Sequence, residues 1–151
     1  SGGCGTMGFG IPAAIGATFG APERTVCMFC GDGGFQMTIQ ELGTIMEQQC
    51  PVKMILLNNN YLGNVRQWQY MFFNKRYSFT PMLNPDYEKI AAGYNIPCRT
   101  VVEREELDAA IREMLETDGP YLLQCAVKEE DNVLPMTPPG ANVDEMLLEV
   151  N

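Results

Sequence analysis

The sequence contains no histidine, and this absence removes several classes of catalytic and metal site. A Ser-His-Asp triad, a Cys-His pair and a zinc site built with histidine cannot form within these 151 residues. Positive charge is also scarce: 10 Lys and Arg face 19 Asp and Glu, a net charge of −9. Because nucleic acids and anionic membranes attract cationic surfaces, we expect neither as a main partner. The sequence has no apolar run of about 18 residues and no signal-peptide pattern, so it predicts neither membrane spanning nor secretion.

The six cysteines are interpreted as reduced thiols rather than as disulfides or zinc ligands. Several lie inside apolar segments, where a free thiol behaves as a small hydrophobic group. Cys27 and Cys30 form a C-x-x-C pair, but no second pair at a suitable spacing accompanies it. In an extended strand, positions three apart point to opposite faces. We therefore expect reduced core thiols in a cytoplasmic protein.

Glycine and charge are distributed unevenly along a chain long enough for one domain. Eleven of the 15 glycines lie in the first 43 residues, whereas most of the surplus negative charge follows residue 102. Acidic helix faces of this kind are usually solvated surface. Because the sequence begins with Ser1 rather than Met, we interpret it as a fragment.

Short apolar runs alternate with helical patterns. The runs are continuous, as is typical of parallel strands covered on both faces, and they predict strands at Thr25–Cys30, Val52–Leu57, Arg99–Val102 and Tyr121–Val127. Apolar spacing and proline positions predict helices over residues 36–49 and 104–117, from Pro12 to about Phe19, and from Pro85 to Ala92. This alternation predicts an α/β fold, a three-layer α/β/α sandwich with a mainly parallel sheet. Residues 1–130 would form this domain, and the proline-rich residues 131–151 an extended arm that lies over it or orders against a partner.

Polar residues and glycines follow the first two predicted strands. Gly31-Asp32-Gly33-Gly34 comes after one strand and Asn58-Asn59-Asn60 after the next. The carboxyl ends of parallel strands meet at the edge where ligands bind, and a glycine-rich strand-to-helix turn favours phosphate. A carboxylate beside a phosphate needs a bridging cation, and Asp32 with an Asn59 oxygen suits Mg²⁺ or Ca²⁺. Ordinary Asx and glycine turns are the alternative, but their coincidence at successive strands favours a metal–diphosphate site.

A second glycine motif supports a competing hypothesis. Gly3-Cys4-Gly5-Thr6-Met7-Gly8 matches G-x-G-x-x-G, which marks a dinucleotide site only where a strand precedes it. A non-catalytic Rossmann-like nucleotide-binding module that uses Gly3, Gly5 and Gly8 therefore stays an alternative.

The spacing of the first motif resembles a known family. Gly31-Asp32-Gly33, 24 residues and then Asn58-Asn59 resemble the metal–diphosphate motif of thiamine-diphosphate (ThDP) enzymes. Over nearly the whole chain, the sequence resembles the C-terminal ThDP-binding domain of acetolactate synthase (acetohydroxyacid synthase) catalytic subunits, through SGGCGTMGFGIPAAIGA, GDGGFQMTIQEL, LLNNNYLGNVRQWQ and VLPMTPPGANVDEM. The resemblance implies a transferase of branched-chain amino acid biosynthesis that decarboxylates pyruvate and joins the two-carbon unit to a second 2-keto acid. Pyruvate oxidase and glyoxylate carboligase are alternatives of similar build.

The resemblance also implies roles for individual residues. Mg²⁺ would be bound by the side chains of Asp32 and Asn59 and by the main-chain carbonyl of Tyr61. The diphosphate would be met by main-chain N–H groups of Gly33, Gly34, Leu62 and Gly63. The Gly5 carbonyl would accept from the cofactor's aminopyrimidine, and Met7 would be the apolar wedge that bends the cofactor.

Further positions concern the substrate. Gln67 and Trp68 match the channel for the second keto acid, and an amphipathic helix anchor is the alternative for Trp68. Asn64, at the cofactor and substrate entrance, stands where the family commonly has Met. Gly34 stands where Ser or Ala is usual, and this removes a hydroxyl contact to phosphate.

The resemblance places other parts of the enzyme outside this sequence. An acidic residue that contacts the aminopyrimidine comes from a neighbouring catalytic subunit, in a homodimer or tetramer, and FAD is held largely by a middle domain. A small regulatory subunit is a further expected partner. With the N-terminal and middle domains absent, no catalytic set is complete, so we expect the fragment alone to be inactive and to bind ThDP weakly.

Overall fold

Four parallel strands form the central sheet of the computed structural model, which describes residues 2–149. They run in the order β1-β2-β4-β3, with bounds β1 Val26–Gly31, β2 Val52–Asn58, β3 Cys98–Val101 and β4 Tyr121–Ala126. Each strand agrees with its predicted run to within one residue at either end. The predicted α/β fold with a parallel sheet is confirmed.

Within residues 2–149, six α-helices connect and cover the strands. Their bounds are α1 Gly10–Gly20, α2 Asp32–Met37, α3 Leu42–Gln48, α4 Gly63–Phe72, α5 Tyr87–Gly93 and α6 Leu107–Glu116, and short 3-10 turns occupy Ile39–Glu41 and Arg104–Glu106. The α4 helix was not predicted. Helix α5 begins at Tyr87, two residues after the predicted start at Pro85, because the Asp86 side chain caps it by accepting from the Lys89 N–H.

The prediction of one helix over residues 36–49 is wrong. Helix α2 begins earlier, at Asp32, and ends before Thr38, whose φ of −132° and ψ of 28° interrupt the helix. The Thr38 hydroxyl donates to the main-chain carbonyl of Gly8 at 2.9 Å. A bond of this kind, from a threonine side chain to backbone elsewhere, competes with helix continuation and explains the break.

The two faces of the sheet are covered unequally. On the first face, α1, α2, α3 and α5 pack over the strands around a large core that includes Phe35, Leu42, Met54, Tyr87 and Leu122. On the second face, α6 covers a smaller core with Val101, Ala110, Met114, Tyr121 and Leu123. Together, these helices and the sheet make the three layers.

Strand β1 departs from the expectation of cover on both faces. Met28 points to the first face and is buried, whereas Phe29 points to the second face and is 70% exposed. The expectation of core thiols is also wrong for Cys4 and Cys27, which are exposed, although all six cysteines are free.

The chain after β4 runs along the molecule without further helix or strand as far as Glu149. Gln67 on α4 exchanges two hydrogen bonds with the main chain of Val133, and Arg66 forms an ion pair with Glu130. Among residues 2–149, no helix combines the length and apolar character that crossing a bilayer requires.

Candidate functional site

The carboxyl ends of β1 and β2 open into one site. Gly31, the last residue of β1, pairs with Leu57, and Asn58, the last residue of β2, pairs with Ala126 of β4. The parallel register therefore brings Asp32 and the segment 58–60 out of the sheet at neighbouring points.

A cavity of about 570 Å³ lies at this edge, a volume typical of small-molecule sites. Nine residues selected from the sequence line it: Met7, Asp32, Gly33, Gly34, Asn59, Tyr61, Leu62, Gly63 and Asn64. Residues that sequence reasoning did not select include Lys128 and Asp131, from the segment after β4. The fold thus gathers four separate parts of the chain around one space.

Three selected residues lie elsewhere. Gly5 occupies an exposed turn before α1 with a φ of +57°, a conformation that favours glycine. Trp68 packs edge-on against Phe72 and lines a separate cavity of about 530 Å³, which Asn64 also lines. Gln67 is buried, and its carboxamide is engaged with Val133.

Asp32 is a buried carboxylate that contacts only neutral donors. Its side chain accepts from the Gly33 N–H at Oδ1 (3.1 Å) and from the Asn84 carboxamide at Oδ2 (2.6 Å), and the residue is 1% exposed. No Lys or Arg in the described chain lies within ion-pair distance of it. A buried charge of this kind is costly without a counter-charge, so the site is suited to a cation.

Asn59 and Tyr61, which line the same cavity as Asp32, offer hard oxygen atoms to a metal. Residues 2–149 hold no cluster of three or more Cys, Asp or Glu that could bind a metal. A cation beside Asp32 would therefore use carboxamide and main-chain oxygens, such as those of Asn59 and Tyr61. This donor set fits Mg²⁺ rather than zinc.

Hydrogen bonds hold the loop after β2 in place. The Asn59 side chain accepts from the Tyr61 N–H at 3.2 Å, and Asn60 has a φ of +58°. The segment 80–82 fixes the loop from the other side: the Leu62 N–H donates to the Thr80 carbonyl, and the Met82 N–H donates to the Asn60 carbonyl.

Two glycines keep the wall of the cavity free of side chains. A Cβ at Gly33 would lie 2.7 Å from Cδ2 of Leu62, and one at Gly63 would lie 2.9 Å from Nδ2 of Asn59. The Met7 side chain also approaches Gly33, since its Cε would be 3.3 Å from the same Cβ. The start of α2 and the loop after β2 therefore pack directly on each other, and larger residues would separate them.

Two neighbours of Asp32 stay protonated at neutral pH. Burial, and secondarily the charge of Asp32, raises the pKa of the Cys30 thiol to about 12. Burial is also the main cause that raises the pKa of Tyr87 to about 12. The Tyr87 hydroxyl is therefore a donor, and neither group adds charge to the site.

Sequence reasoning missed Asn84, whose carboxamide lies at the centre of this polar cluster. It is 52 residues from Asp32 in the chain, and its only sequence signal is the turn-forming context Asn84-Pro85-Asp86. A contact of that separation depends on the packing of α5 and is invisible in local patterns.

The comparison with protein families defines the class. Residues 1–125 match the family described as thiamine pyrophosphate enzyme, C-terminal TPP binding domain, and the chain belongs to this family. Thiamine pyrophosphate is another name for ThDP.

Comparison with individual proteins shows which enzymes of this class the chain resembles. The chain is 48% identical over 148 residues to the acetolactate synthase isozyme 2 large subunit of Escherichia coli (strain K12), covering 97% of this chain and 27% of that protein. It is 45% identical over 147 residues to the mitochondrial acetolactate synthase catalytic subunit of Saccharomyces cerevisiae, covering 97% of this chain and 21% of that protein. The chain thus spans about a quarter of the length of the curated relatives it matches.

A solved structure agrees with the class. The ThDP-dependent 4-hydroxybenzoylformate decarboxylase of Rhodococcus jostii RHA1 superposes with a TM-score of 0.77 at 28% identity, covering 83% of this chain and 24% of that one. The similarity supports the fold of the domain.

The Rossmann-like alternative is not favoured. Gly8 has a φ of +84°, and a Cβ there would lie 3.0 Å from Cβ of Met37, so this glycine serves the contact between the first turn and the end of α2. The family match accounts for the same residues as part of a ThDP-binding domain.

Proposed function

We propose that this chain is the ThDP-binding part of an acetolactate synthase. The enzyme decarboxylates pyruvate and joins the two-carbon unit to a second 2-keto acid, and the product is 2-acetolactate or 2-aceto-2-hydroxybutyrate. The observation that carries the proposal is the 48% identity to an acetolactate synthase over 97% of the chain. This reaction is an early step of branched-chain amino acid biosynthesis.

We propose that Asp32, Asn59 and the main-chain carbonyl of Tyr61 bind Mg²⁺. The support is the burial of Asp32 without a cationic partner in the described chain, together with the oxygen donors beside it. Magnesium usually keeps places for phosphate oxygens and water, so three protein ligands suffice.

The cofactor would lie in the cavity at the carboxyl edge of the sheet. The main-chain N–H groups of Gly34 and Gly63, near the starts of α2 and α4, would meet the diphosphate directly. Those of Gly33 and Leu62 donate to Asp32 Oδ1 and to the Thr80 carbonyl, so they would meet the diphosphate by exchanging these partners. Met7 and Asn64 line the same cavity, where Met7 would be the apolar wedge against the cofactor and Asn64 would lie at the entrance. The Gly5 carbonyl would accept from the aminopyrimidine. When bound, ThDP supplies the electron sink that 2-keto acid decarboxylation requires. The chain's own residues would bind and orient it, and the Mg²⁺ that they hold would offset the charge of its diphosphate.

The second keto acid would enter along α4. Trp68 presents an apolar surface to the cavity that it shares with Asn64, Val65 and Phe73. Gln67 would act on this channel through the segment that it binds at Val133. Because Asn64 lines both cavities, we propose it as the main residue that determines substrate preference.

The remaining parts of the enzyme are proposed from the same similarity. A neighbouring catalytic subunit would contribute to the active site of a homodimer or tetramer, FAD would be held by a middle domain, and a small regulatory subunit would bind the assembly. The six free cysteines suit a reducing compartment, and we propose the cytoplasm.

The test is the Mg²⁺-dependent binding of ThDP to the intact protein, measured by calorimetry for Asp32→Ala and for the matched control Asp144→Ala in the exposed tail. Removing a metal ligand should weaken ThDP binding more than about 100-fold, beyond the loss typical of an outer partner. The control should stay within about twofold.

Three results would contradict the proposal: ThDP binding that needs no metal, equal binding by Asp32→Ala, or metal-independent binding of NAD instead. Product analysis with pyruvate then tests the carboligation. Acetyl phosphate or acetate in place of 2-acetolactate would point to an oxidase.

A further inference from the structure

The carboxamide of Asn84 connects the carboxyl ends of both central strands. Its Nδ2 lies 2.6 Å from Oδ2 of Asp32, 2.9 Å from Oδ1 of Asn58 and 3.1 Å from Oδ1 of Asn60. Asp32 follows β1, whereas Asn58 ends β2 and Asn60 lies in the loop after it, so that the two asparagines flank Asn59. A single amide therefore spans the two places from which the metal ligands come.

The other end of the same carboxamide is also fixed. Its Oδ1 accepts from Nε2 of Gln36 at 2.7 Å and from the Tyr87 hydroxyl at 3.1 Å. Because Oδ1 meets two donors, the amide has one orientation, with Nδ2 toward Asp32. Tyr87 is itself rigid: it is 1% exposed, and its ring meets Phe35 edge-on at 5.6 Å.

The chemistry of this contact distinguishes it from an ion pair. A carboxylate has about four lone-pair directions, and Asp32 uses two of them, toward Gly33 and Asn84. A lysine in place of Asn84 would neutralise Asp32 and compete with a metal ion. A neutral amide instead fixes the carboxylate rotamer and leaves its charge and its remaining lone pairs for a cation.

We propose that Asn84 is a positioning residue of the metal centre, which holds Asp32 and the Asn58–Asn60 loop in the geometry that a divalent cation requires. The inference rests on the proposed metal site and adds the residues that orient it. Tyr87 and Gln36 act one contact further out, by setting the direction of the Asn84 amide. Partners that orient metal ligands in this way affect metal affinity by about 10–100-fold when they are removed.

The experiment measures Mn²⁺ affinity by electron paramagnetic resonance in the intact protein with thiamine diphosphate present, for Asn84→Ala, Tyr87→Phe and Asp32→Ala. Asn142→Ala, in the exposed tail, is the control. We expect Asn84→Ala to bind Mn²⁺ about 10–100-fold more weakly and Tyr87→Phe to show a smaller loss. Raising the metal concentration by the same factor should restore thiamine diphosphate binding to Asn84→Ala, which a merely misfolded protein would not show.

The outcomes separate this inference from the proposed function. If the unaltered protein binds no Mn²⁺, both fail. If Asp32→Ala abolishes Mn²⁺ binding while Asn84→Ala stays within twofold of the unaltered protein, only the role of Asn84 is overturned. If Asn84→Ala does not fold, Tyr87→Phe decides, because it keeps the ring packing: a reduced Mn²⁺ affinity supports the role, and an unchanged affinity overturns it.

Discussion

The two faces of the sheet have different degrees of cover, although the same strands build both. On the first face, four helices bury a continuous core. One of them, α2, begins with Asp32, and another, α5, begins shortly after Asn84. On the second face, α6 leaves an apolar cavity of about 500 Å³ beside exposed Phe29. The site is therefore held by the better-packed face, and the precision of its polar cluster depends on that packing.

Adjacent leucines of β4 test this comparison most strongly. Leu122 points to the first face and Leu123 to the second, and both are 0% exposed. We expect Leu122→Ala to lower the free energy of unfolding by about 3–5 kcal/mol and Leu123→Ala by about 2–3 kcal/mol, because Leu123 already borders an open cavity. Urea unfolding of the two variants measures the difference. An equal or larger cost for Leu123 would contradict the unequal packing of the faces.

A buried lysine on the second face should have the next largest effect. Lys53 is 4% exposed, and its Nζ donates to the main-chain carbonyls of Thr117 (2.5 Å) and Gly119 (2.7 Å), which joins β2 to the turn after α6. Lys53→Met leaves both carbonyls without this donor. We expect it to lower the free energy of unfolding, measured in urea, by about 2–3 kcal/mol. Lys89→Met, on the exposed side of α5, is the matched control and should lower the free energy of unfolding much less, because an exposed ion pair contributes little. If the two variants lower the free energy of unfolding equally, the hydrogen bonds of Lys53 do not hold α6 in place.

The smallest effect concerns the pH dependence of stability on the second face. Glu113 of α6 accepts from the Tyr121 hydroxyl and from Arg99, and these hydrogen bonds lower its pKa from the ordinary value of a glutamate. Its contribution is therefore present above the unfolded pKa and is lost as the pH falls through the folded pKa. Between pH 5.5 and pH 3, Glu113→Gln should lose less stability than the unaltered chain.

Urea unfolding at both pH values provides the measurement, with Glu116→Gln on the exposed side of α6 as the control. Parallel losses in the unaltered chain and in Glu113→Gln would show that this cluster does not support α6.

Much of the fold could be predicted because its signals are local. Continuous apolar runs at 52–57 and 121–127 mark strands wherever they occur, and the spacing of Leu107, Ala110, Ile111 and Met114 marks α6. The break at Thr38 could not be predicted, because it depends on the carbonyl of Gly8, 30 residues away. Helix α4 was not predicted for a related reason: Gln67 on this helix forms hydrogen bonds with Val133, in the segment after β4.

The candidate site divides in the same way. Asp32, Gly33 and Asn59 stand out because glycines, an acid and amides follow successive strands, and the cavity brings these residues together. No local sequence pattern identifies Asn84, Gln36 and Tyr87. Their contacts with the site join residues from separate helices and turns.

The sequence by itself determined the class of this protein, because strand runs, glycine positions and the Gly31-Asp32-Gly33 to Asn58-Asn59 spacing are features of the linear chain. Only the tertiary structure decided how the faces of the sheet are covered and which neutral amide holds the buried carboxylate. The physical reason is the separation along the chain over which each effect acts. Backbone preferences and apolar periodicity act over a few residues, whereas the surroundings of Asp32 arise from elements that meet only when the core is packed.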